Sequence, residues 1–257
     1  MYANPQEIVD CVELEAEQIV PDPNDFSVQQ YREKQKIQLA DNIKALEVLN
    51  GFAPQRGKLL EVGSFMGYFL RLIRESGWDV TGVELVHWAA EFARQEFQLT
   101  IHEKLLSELA FPEGYFDAVM MLHVIEHMPD PLRELRELRR ITRTGGHLVV
   151  ETPRFDSLMF KILGRRERNL STSNGHIFFF EVPTLTKLLE KAGYEVLRVD
   201  LVGRTMSLDR FIGNLGLILR YYPLRKLMSR ISQASFFTNR RVHINVRDMQ
   251  RFYCRAK

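Results

Sequence analysis

The sequence predicts an α/β protein with a Rossmann-like, doubly wound, mostly parallel seven-stranded sheet whose last strand is antiparallel. Short apolar segments alternate with segments of helical periodicity, which is the pattern of successive βαβ units. The first two apolar segments each end in a carboxylate, at Glu61 and Glu84, and a glycine-bounded turn follows the first. Because ligands of such sheets bind at the carboxyl ends of the strands, we expect a small-molecule cofactor site there.

The elements follow in order from these patterns. A leading helix is predicted over 29–49, after the turn-rich break at 21–25, because its apolar residues recur every three or four positions. Apolar runs predict strands at 58–61, 80–84, 99–102, 116–122, 148–150, 195–202 and 249–255. Helical spacing predicts helices at 67–75, 88–97, 132–141 and 184–192. Pro131 is expected to open one helix and Gly145-Gly146 to end it.

The chain divides into four predicted regions. They are an N-terminal helical region (1–50), a cofactor-binding core (51–203), a helical cap insertion (204–240) and the last strand of the core (241–257). The polar, arginine-rich segment 164–174 resembles a loop within the core. A chain of 257 residues with 45% hydrophobic composition can bury one large core of this kind.

Composition sets the expected compartment and surface. Two cysteines cannot form a disulfide framework, the first residues lack a signal-peptide pattern, and no apolar run approaches the roughly 20 residues of a membrane span. We therefore expect a soluble, cytoplasmic protein. The net charge of +2 hides an acidic N-terminus and a basic region after Leu201. That basic region fits phosphate, an anionic lipid surface or plain solvent equally well.

The glycine turn and the carboxylate after it are typical of a nucleotide-like site. Gly63 and Gly67 let backbone N–H groups approach a ligand without an intervening Cβ. Glu84 follows about 20 residues later, the spacing at which such sites place a carboxylate on ribose hydroxyls. A carboxylate that merely caps the next helix is the alternative.

These residues resemble class I S-adenosylmethionine-dependent methyltransferases, in the branch of ubiquinone-pathway O-methyltransferases and bacterial sugar, lipid and natural-product enzymes. The resemblance covers about 59–200. Its motifs are Leu60-Glu61-Val62-Gly63-Ser64-Phe65-Met66-Gly67, Val83-Glu84, the segments 111–119, 123–131 and 144–148, and parts of 175–194. It implies S-adenosylmethionine as cofactor, S-adenosylhomocysteine as product, and a small-molecule acceptor.

The resemblance also implies cofactor-binding residues. Glu61, Gly63, Ser64 and Gly67 would surround the methionine part, and Glu84 would hold the ribose. The remaining expected cofactor contacts are Phe65, Leu85, Leu105, Leu106 and His123, with Leu105 and Leu106 at the adenine. Two positions depart from the family pattern. Phe65 replaces the usual middle glycine, and Leu105 stands where an Asp often contacts the adenine amine.

The run His123-Val124-Ile125-Glu126-His127 also spells the His-x-x-Glu-His signature of inverted zinc proteases. That signature requires a helix, whereas this run follows a buried strand and meets a proline at 129, so a zinc protease is not expected. Ubiquinone O-methyltransferases have a similar Glu-x-x-Glu-His that can hold a divalent ion. Because His123 replaces the first Glu, no metal is expected, and a chelator titration tests this.

Methylation of a hydroxyl needs an aligned acceptor and a base for its proton. Histidine suits the base, and His176, His127 and His123 are the catalytic candidates at the carboxyl ends of strands, whereas His147 lies at the opposite end. His176 is the first choice because an aromatic cluster follows it. A hydrogen bond that anchors the neighbouring loop is the alternative role.

The expected reaction is O-methylation of a sugar, lipid, quinone or natural product. Arginines in 164–174 and in the cap suit a lipid-like or anionic acceptor, or peripheral membrane contact. No nucleic-acid partner is expected, because no Asn-Pro-Pro-Tyr-like motif is present. A cofactor-binding protein without catalysis and a nicotinamide oxidoreductase are the alternatives. The sequence does not indicate the acceptor or the oligomeric state.

Overall fold

The computed structural model describes residues 26–163, 176–207 and 241–257. The helices are α1 (Phe26–Phe52), α2 (Tyr68–Glu75), α3 (His87–Phe97), α4 (Pro131–Ile141), α5 (Leu158–Leu163) and α6 (Val182–Lys191). The strands are β1 (Lys58–Val62), β2 (Asp79–Val83), β3 (Ile101–His102), β4 (Phe116–Leu122), β5 (Thr142–Pro153), β6 (Tyr194–Ser207) and β7 (Arg241–Ala256). Two short 3₁₀ helices cover Leu106–Glu108 and Ile125–His127.

The seven strands form one sheet in the order β3-β2-β1-β4-β5-β7-β6. The pairs from β3 to β5 are parallel, and β7 runs antiparallel to both β5 and β6. This confirms the predicted fold class. The strand order reverses between β1 and β4, so the crevice for a ligand opens at the carboxyl ends of these two strands.

Successive residues of the central strands pack on opposite faces of the sheet, which explains their continuous apolar runs. On one face, Leu60 of β1 joins the cluster that includes α4 and α6, through Leu135 and Leu185. On the other face, Leu59 joins the cluster that includes α1, α2 and α3. Both faces of β1 and β4 are therefore buried in the two apolar clusters, and this packing fixes the positions of their carboxyl ends.

The prediction that Gly145-Gly146 ends a helix is wrong. Helix α4 ends at Ile141, and strand β5 already begins at Thr142. The pairing register of β5 with β4 shifts here, and Gly145 has a φ of +78°. A Cβ at Gly146 would approach the carbonyl oxygens of Arg143 and Asp117 at 2.8 Å. The two glycines thus permit a local irregularity inside the sheet rather than a helix end.

Strand β6 is longer than predicted, because it continues to Ser207. Strand β7 starts at Arg241, the first residue of the predicted last-strand region 241–257, and before the apolar run at 249–255. Arg204–Ser207 pair with 241–244, beyond the predicted end of the sixth strand. The predicted cap falls mostly on 208–240, which lies outside the described residues, as do the first 25 residues and the arginine-rich segment 164–175. The cap therefore stays a prediction. None of the helices in the described parts of the chain has the length and apolar character that crossing a membrane needs.

Candidate active site

The turn after β1 is built from backbone groups. The N–H groups of Gly63 and Ser64 both donate to the carbonyl oxygen of Val83, at 2.8 and 3.2 Å, which ties the turn to the end of β2. Gly63 has a φ of +77°, and a Cβ there would come within 2.4 Å of Cγ2 of Val124. Glycine at position 63 thus allows the segment after β4 to pack directly against the turn.

Phe65, at the position of the family's middle glycine, adopts the left-handed backbone that glycine favours, with a φ of +44°. Its N–H donates to Oε2 of Glu84 at 2.7 Å, and its ring meets the Trp88 ring edge to face at a centroid distance of 5.2 Å. The backbone geometry of the turn is therefore retained without the glycine, at the expense of local strain.

Glu84 lies directly after β2 and is a buried carboxylate, and each of its two oxygens accepts a hydrogen bond from a backbone N–H. Oε2 accepts from Phe65 at 2.7 Å and Oε1 from Val86 at 2.8 Å. Burial raises the pKa of Glu84, although backbone hydrogen bonds counteract this effect. Each oxygen keeps a second lone pair, so the carboxylate is fixed in place and suited to accept two ribose hydroxyls.

Glu61, the last but one residue of β1, is the second buried carboxylate of the site. Burial raises its pKa well above the usual range, and the nearby charge of Glu84 adds to the shift. Its Oε2 and the hydroxyl of Ser64 have no hydrogen-bond partner among the described residues. Buried polar atoms of this kind are rare without a ligand, and the amino group of a methionine moiety would satisfy the carboxylate. These residues therefore fit S-adenosylmethionine.

The expected adenine contacts follow β2 and β3. Leu85 lies directly after Glu84 and is half-buried. Leu106 begins the 3₁₀ helix after β3 and is buried, whereas the Leu105 side chain is 50% exposed. An exposed leucine is suited to cover an adenine ring, and this role stays a prediction.

The three candidate histidines surround the carboxylate of Glu126, which is 1% exposed. Oε1 of Glu126 lies 3.9 Å from Nδ1 of His123 and 4.0 Å from Nε2 of His176. The rings of His127 and His176 meet edge to face with centroids 4.6 Å apart. The hydroxyl of Thr152 donates to Oε2 of Glu126 at 2.9 Å. The structure thus brings together the three histidines that the sequence analysis singled out, and their catalytic role stays a prediction. The sequence analysis did not identify Glu126 as their centre.

The segment before α6 is held to this cluster by its backbone. The N–H groups of Ile177 and Phe178 donate to the carbonyl oxygen of Glu126, at 2.8 and 3.1 Å. These bonds explain why His176, 49 positions after His127, reaches the same site. The His-x-x-Glu-His run bends from the end of β4 into the 3₁₀ helix Ile125–His127, so it lacks the α-helix of a zinc protease.

Glu126, His127 and His176 bring one ligand-type atom each within 4.8 Å of one another. Carboxylate and imidazole groups at such spacing could hold a divalent ion after small adjustments. The expectation that the protein needs no metal therefore stays a prediction, and the chelator titration remains its test.

The sequence analysis did not identify a further buried carboxylate, Glu151 near the end of β5. It pairs with His123 and with Arg251 of β7, and Arg251 also donates to the carbonyl oxygen of Asp41 at 3.1 Å. A signal for Glu151 was present, because it follows an apolar strand just as Glu61 and Glu84 do. Nothing in the pattern around Arg251 indicated its partner.

Comparison with known families decides the assignment. Residues 31–199, more than half of the chain, match the family of methyltransferase domains. The chain belongs to the class I S-adenosylmethionine-dependent methyltransferases. The resemblance inferred from the motifs is thereby confirmed, and S-adenosylmethionine is the cofactor of this family.

The curated relatives of this methyltransferase act on different acceptors. A tRNA U34 carboxymethyltransferase from Syntrophotalea carbinolica is 30% identical over 61% of this chain and 51% of its own length. A ubiquinone biosynthesis O-methyltransferase from Alkalilimnicola ehrlichii is 31% identical over 42% of this chain and 47% of its own. The chain spans about half the length of these relatives. They do not support the expectation that nucleic acid is excluded as a partner.

Solved structures agree on the fold. An S-adenosylmethionine-dependent methyltransferase from Archaeoglobus fulgidus has a TM-score of 0.61 and 19% identity, covering 90% of this chain and 100% of its own. Phosphoethanolamine N-methyltransferase 2 of Haemonchus contortus, in complex with S-adenosyl-L-methionine, has a TM-score of 0.53 and 15% identity, covering 83% and 52%. At these identities the likeness concerns the fold alone.

Proposed function

We propose that this methyltransferase transfers a methyl group from S-adenosylmethionine to a hydroxyl group of a small molecule, with a histidine as general base. The supporting observation is the contact between Val124 and Gly63. It brings the histidine-rich segment (123–127) against the turn after β1 (63–67), which we call the cofactor turn. The acceptor hydroxyl and the reactive methyl group would meet between these two segments.

The cofactor supplies an electrophilic methyl carbon on a sulfonium ion. The protein's own residues then have two tasks, which are to align the acceptor oxygen and to remove its proton. The buried carboxylates Glu61 and Glu84 hold the cofactor, and the histidines around Glu126 provide nitrogen bases on the acceptor side. Neutral imidazole is a suitable base near pH 7 because its ordinary pKa is about 6.5.

A row of aromatic rings next to His176, formed by Phe179, Phe155 and Phe160, supports an acceptor with an apolar or aromatic part. The ring of Phe179 lies 6.2 Å from that of His176 and 5.6 Å from that of Phe155. The ring of Phe155 in turn lies 4.5 Å from that of Phe160, and Phe155 is 38% exposed, so part of this aromatic row is accessible from solvent. Such a surface suits a quinone, a phenolic natural product or a lipid-like chain more than a bare sugar.

The test is an acceptor screen with the full chain and isotope-labelled S-adenosylmethionine. Hydroxylated quinones, phenols, hydroxy lipids and sugars are offered separately, and the products are identified by mass. We expect the product of one class to carry one labelled methyl group in place of a hydrogen, a gain of about 14 Da plus the extra mass of the label. His147→Gln is the matched histidine control, because His147 lies inside β5 and stacks on Phe52 of α1, away from the histidines around Glu126. Cofactor binding without methylation of any hydroxyl would contradict the proposal.

A tRNA acceptor is the second candidate, and the observation that favours it is the identity with tRNA U34 carboxymethyltransferases. The same assay with total tRNA distinguishes the two. Label that is incorporated into tRNA and lost after ribonuclease treatment would support this candidate over a small molecule.

Membrane contact through the basic residues of 164–168 and 220–230 lies outside the described residues and remains a prediction. Pelleting with vesicles of anionic lipid tests it. Absence of binding at low salt would contradict it, because electrostatic attraction is strongest there.

A further inference from the structure

His123 is attached to Glu151 at two points. Its backbone N–H donates to the carbonyl oxygen of Glu151 at 2.8 Å, and Nε2 of its ring lies 3.2 Å from Oε1 of the same residue. His123 has a left-handed backbone with a φ of +60°, which is uncommon for residues other than glycine. The strained backbone and the two contacts together fix the orientation of the imidazole ring.

The charge state of Glu151 decides which ring nitrogen carries the proton. The side chain is buried, which alone would raise its pKa, but the hydrogen bond from His123 and the charge of Arg251 lower the pKa to about 2. Glu151 is therefore ionised at neutral pH and can only accept hydrogen bonds. Nε2 of His123 must then be the protonated nitrogen, and Nδ1 holds the lone pair of the neutral ring.

The Nδ1 atom faces a second carboxylate. Oε1 of Glu126 lies 3.9 Å away and has no hydrogen-bond partner among the described residues. A proton taken up by Nδ1 would place the imidazolium between the carboxylates of Glu126 and Glu151. Opposite charges at these distances stabilise the protonated ring, so this arrangement favours proton uptake by His123.

His123 is also more accessible than the first-choice histidine. Its side chain is 36% exposed, against 15% for His176. It stands directly after β4 and before Val124, which packs on the cofactor turn. An acceptor that enters the crevice therefore reaches the His123 ring beside the turn that holds the cofactor.

We propose that His123 is the general base and that Glu151, held by Arg251, is its positioning residue. This inference rests on the proposed function. The acceptor hydroxyl gives its proton to Nδ1 while an oxygen lone pair forms the new bond to the methyl carbon. The bond between that carbon and sulfur breaks, and its electron pair stays on sulfur in S-adenosylhomocysteine.

Among the described residues, four titratable or charged groups lie close enough to influence the titration of His123. They are Glu151 of β5, Arg251 of β7, Glu126 of the 3₁₀ helix and His176 from the segment before α6. The two carboxylates favour the imidazolium, whereas Arg251 disfavours it. Removing the negative charge of Glu151 should therefore lower the pKa of His123.

The first test needs no acceptor. The full chain is labelled with ¹⁵N in its seven histidines, and the side-chain signals of His123 are assigned with His123→Gln. We expect the Nε2–H tautomer at neutral pH. Glu151→Gln should lower the pKa of His123 by about 1 to 3 units, the range for loss of one nearby opposite charge. Glu195→Gln is the matched control, because it removes an exposed partner of Arg255. An Nδ1–H tautomer or an unchanged titration in Glu151→Gln would overturn the proposal.

Glu151→Gln leaves Arg251 buried beside a neutral amide, which can prevent folding. In that case the double variant Glu151→Gln with Arg251→Gln removes both charges, and it should still lose the preference for Nε2–H. Retention of the wild-type tautomer and titration in the double variant would overturn the role of Glu151.

The second test uses the acceptor that the screen identifies. His123→Ala should lower kcat by about 100-fold or more, the usual contribution of a general base. Glu151→Gln should lower kcat more than it raises KM, and it should move the acidic limb of the pH profile to lower pH. An His123→Ala variant that keeps kcat within about tenfold would refute the base while leaving methyl transfer intact. If no acceptor is methylated although the tautomer is as expected, the proposed function fails rather than the positioning of His123.

Discussion

The backbone N–H of Phe65 donates a hydrogen bond of 2.7 Å to Oε2 of Glu84, a residue 19 positions further along the chain. The bond joins the turn after β1 to the end of β2. It fixes both the left-handed backbone of Phe65 and the rotamer of the carboxylate that we propose binds the ribose. If Glu84 has that role, cofactor binding and turn geometry are coupled through one side chain.

Glu84→Gln should weaken the binding of S-adenosylhomocysteine by about tenfold or more. A glutamine side chain has one acceptor oxygen and one NH₂ donor, so its NH₂ group would face the backbone N–H of Phe65 or of Val86. At least one charge-assisted contact to the cofactor would also be lost. Such contacts contribute about 1.5–3 kcal/mol. Calorimetry measures the change, with the exposed Glu75→Gln as control. Equal affinity of Glu84→Gln and wild type would contradict the ribose role.

Phe65→Gly should give a more stable protein than Phe65→Ala, by about 1 kcal/mol. Both variants lose the contact with Trp88, but only glycine relieves the left-handed strain. At Arg71, an exposed position inside α2, the order should reverse, because glycine is the poorer helix former by a similar amount. Urea unfolding of the four variants gives the comparison. The same order at both positions would show that the φ of Phe65 stores no strain.

Glu61→Gln should stabilise the free protein while it weakens the cofactor complex. An acid whose pKa is raised by folding stabilises the fold most below the unfolded value, near 4.5, and this contribution is lost as the pH rises through the folded value. The gain in unfolding free energy from Glu61→Gln should therefore be larger at pH 8 than at pH 5.

Glu61→Gln should affect cofactor affinity in the opposite direction from stability. An ionised Glu61 attracts the amino group of the methionine moiety, so the Gln variant should bind S-adenosylhomocysteine about tenfold or more weakly. Urea unfolding at the two pH values and calorimetry supply both measurements. A variant that gains stability with no loss of affinity would leave Glu61 without a role in cofactor binding.

Arg251→Gln should destabilise the protein by about 3–5 kcal/mol, because it leaves the carboxylate of Glu151 buried without its counter-ion. The matched control is Arg255→Gln on the same strand. Arg255 pairs with Glu195 at 2.6 Å, but the two side chains are 51% and 44% exposed. An exposed pair contributes only about 0.2–1 kcal/mol. Denaturant unfolding of both variants should separate them clearly, and similar losses would show that Arg251 is not held in a dry site.

The geometry of the turn that we propose binds the cofactor could be predicted from the sequence because it is local. The turn from Glu61 to Gly67 uses consecutive residues, and Glu84 ends the adjacent strand in the same βαβ unit. Strand ends of a parallel sheet lie together by topology, so a carboxylate after an apolar run has a predictable place. The alternation of elements likewise determined the fold class.

The acceptor half could not be predicted in detail, because its contacts join distant parts of the chain. Glu151 and Arg251 are 100 positions apart and meet only because β7 inserts antiparallel beside β5. Gly145-Gly146 has the composition of a helix end but lies within β5, where a close backbone approach requires it.

By itself, the sequence determined the sheet, the cofactor turn and the choice of three histidines as candidates. Only the tertiary structure decided that these histidines surround Glu126 and that Glu151 pairs with the His123 ring. The physical reason is that hydrophobic periodicity and turn chemistry are local properties of the chain. The pairing of buried charges, in contrast, depends on strand order and register, which bring residues that are far apart in sequence together in one buried site.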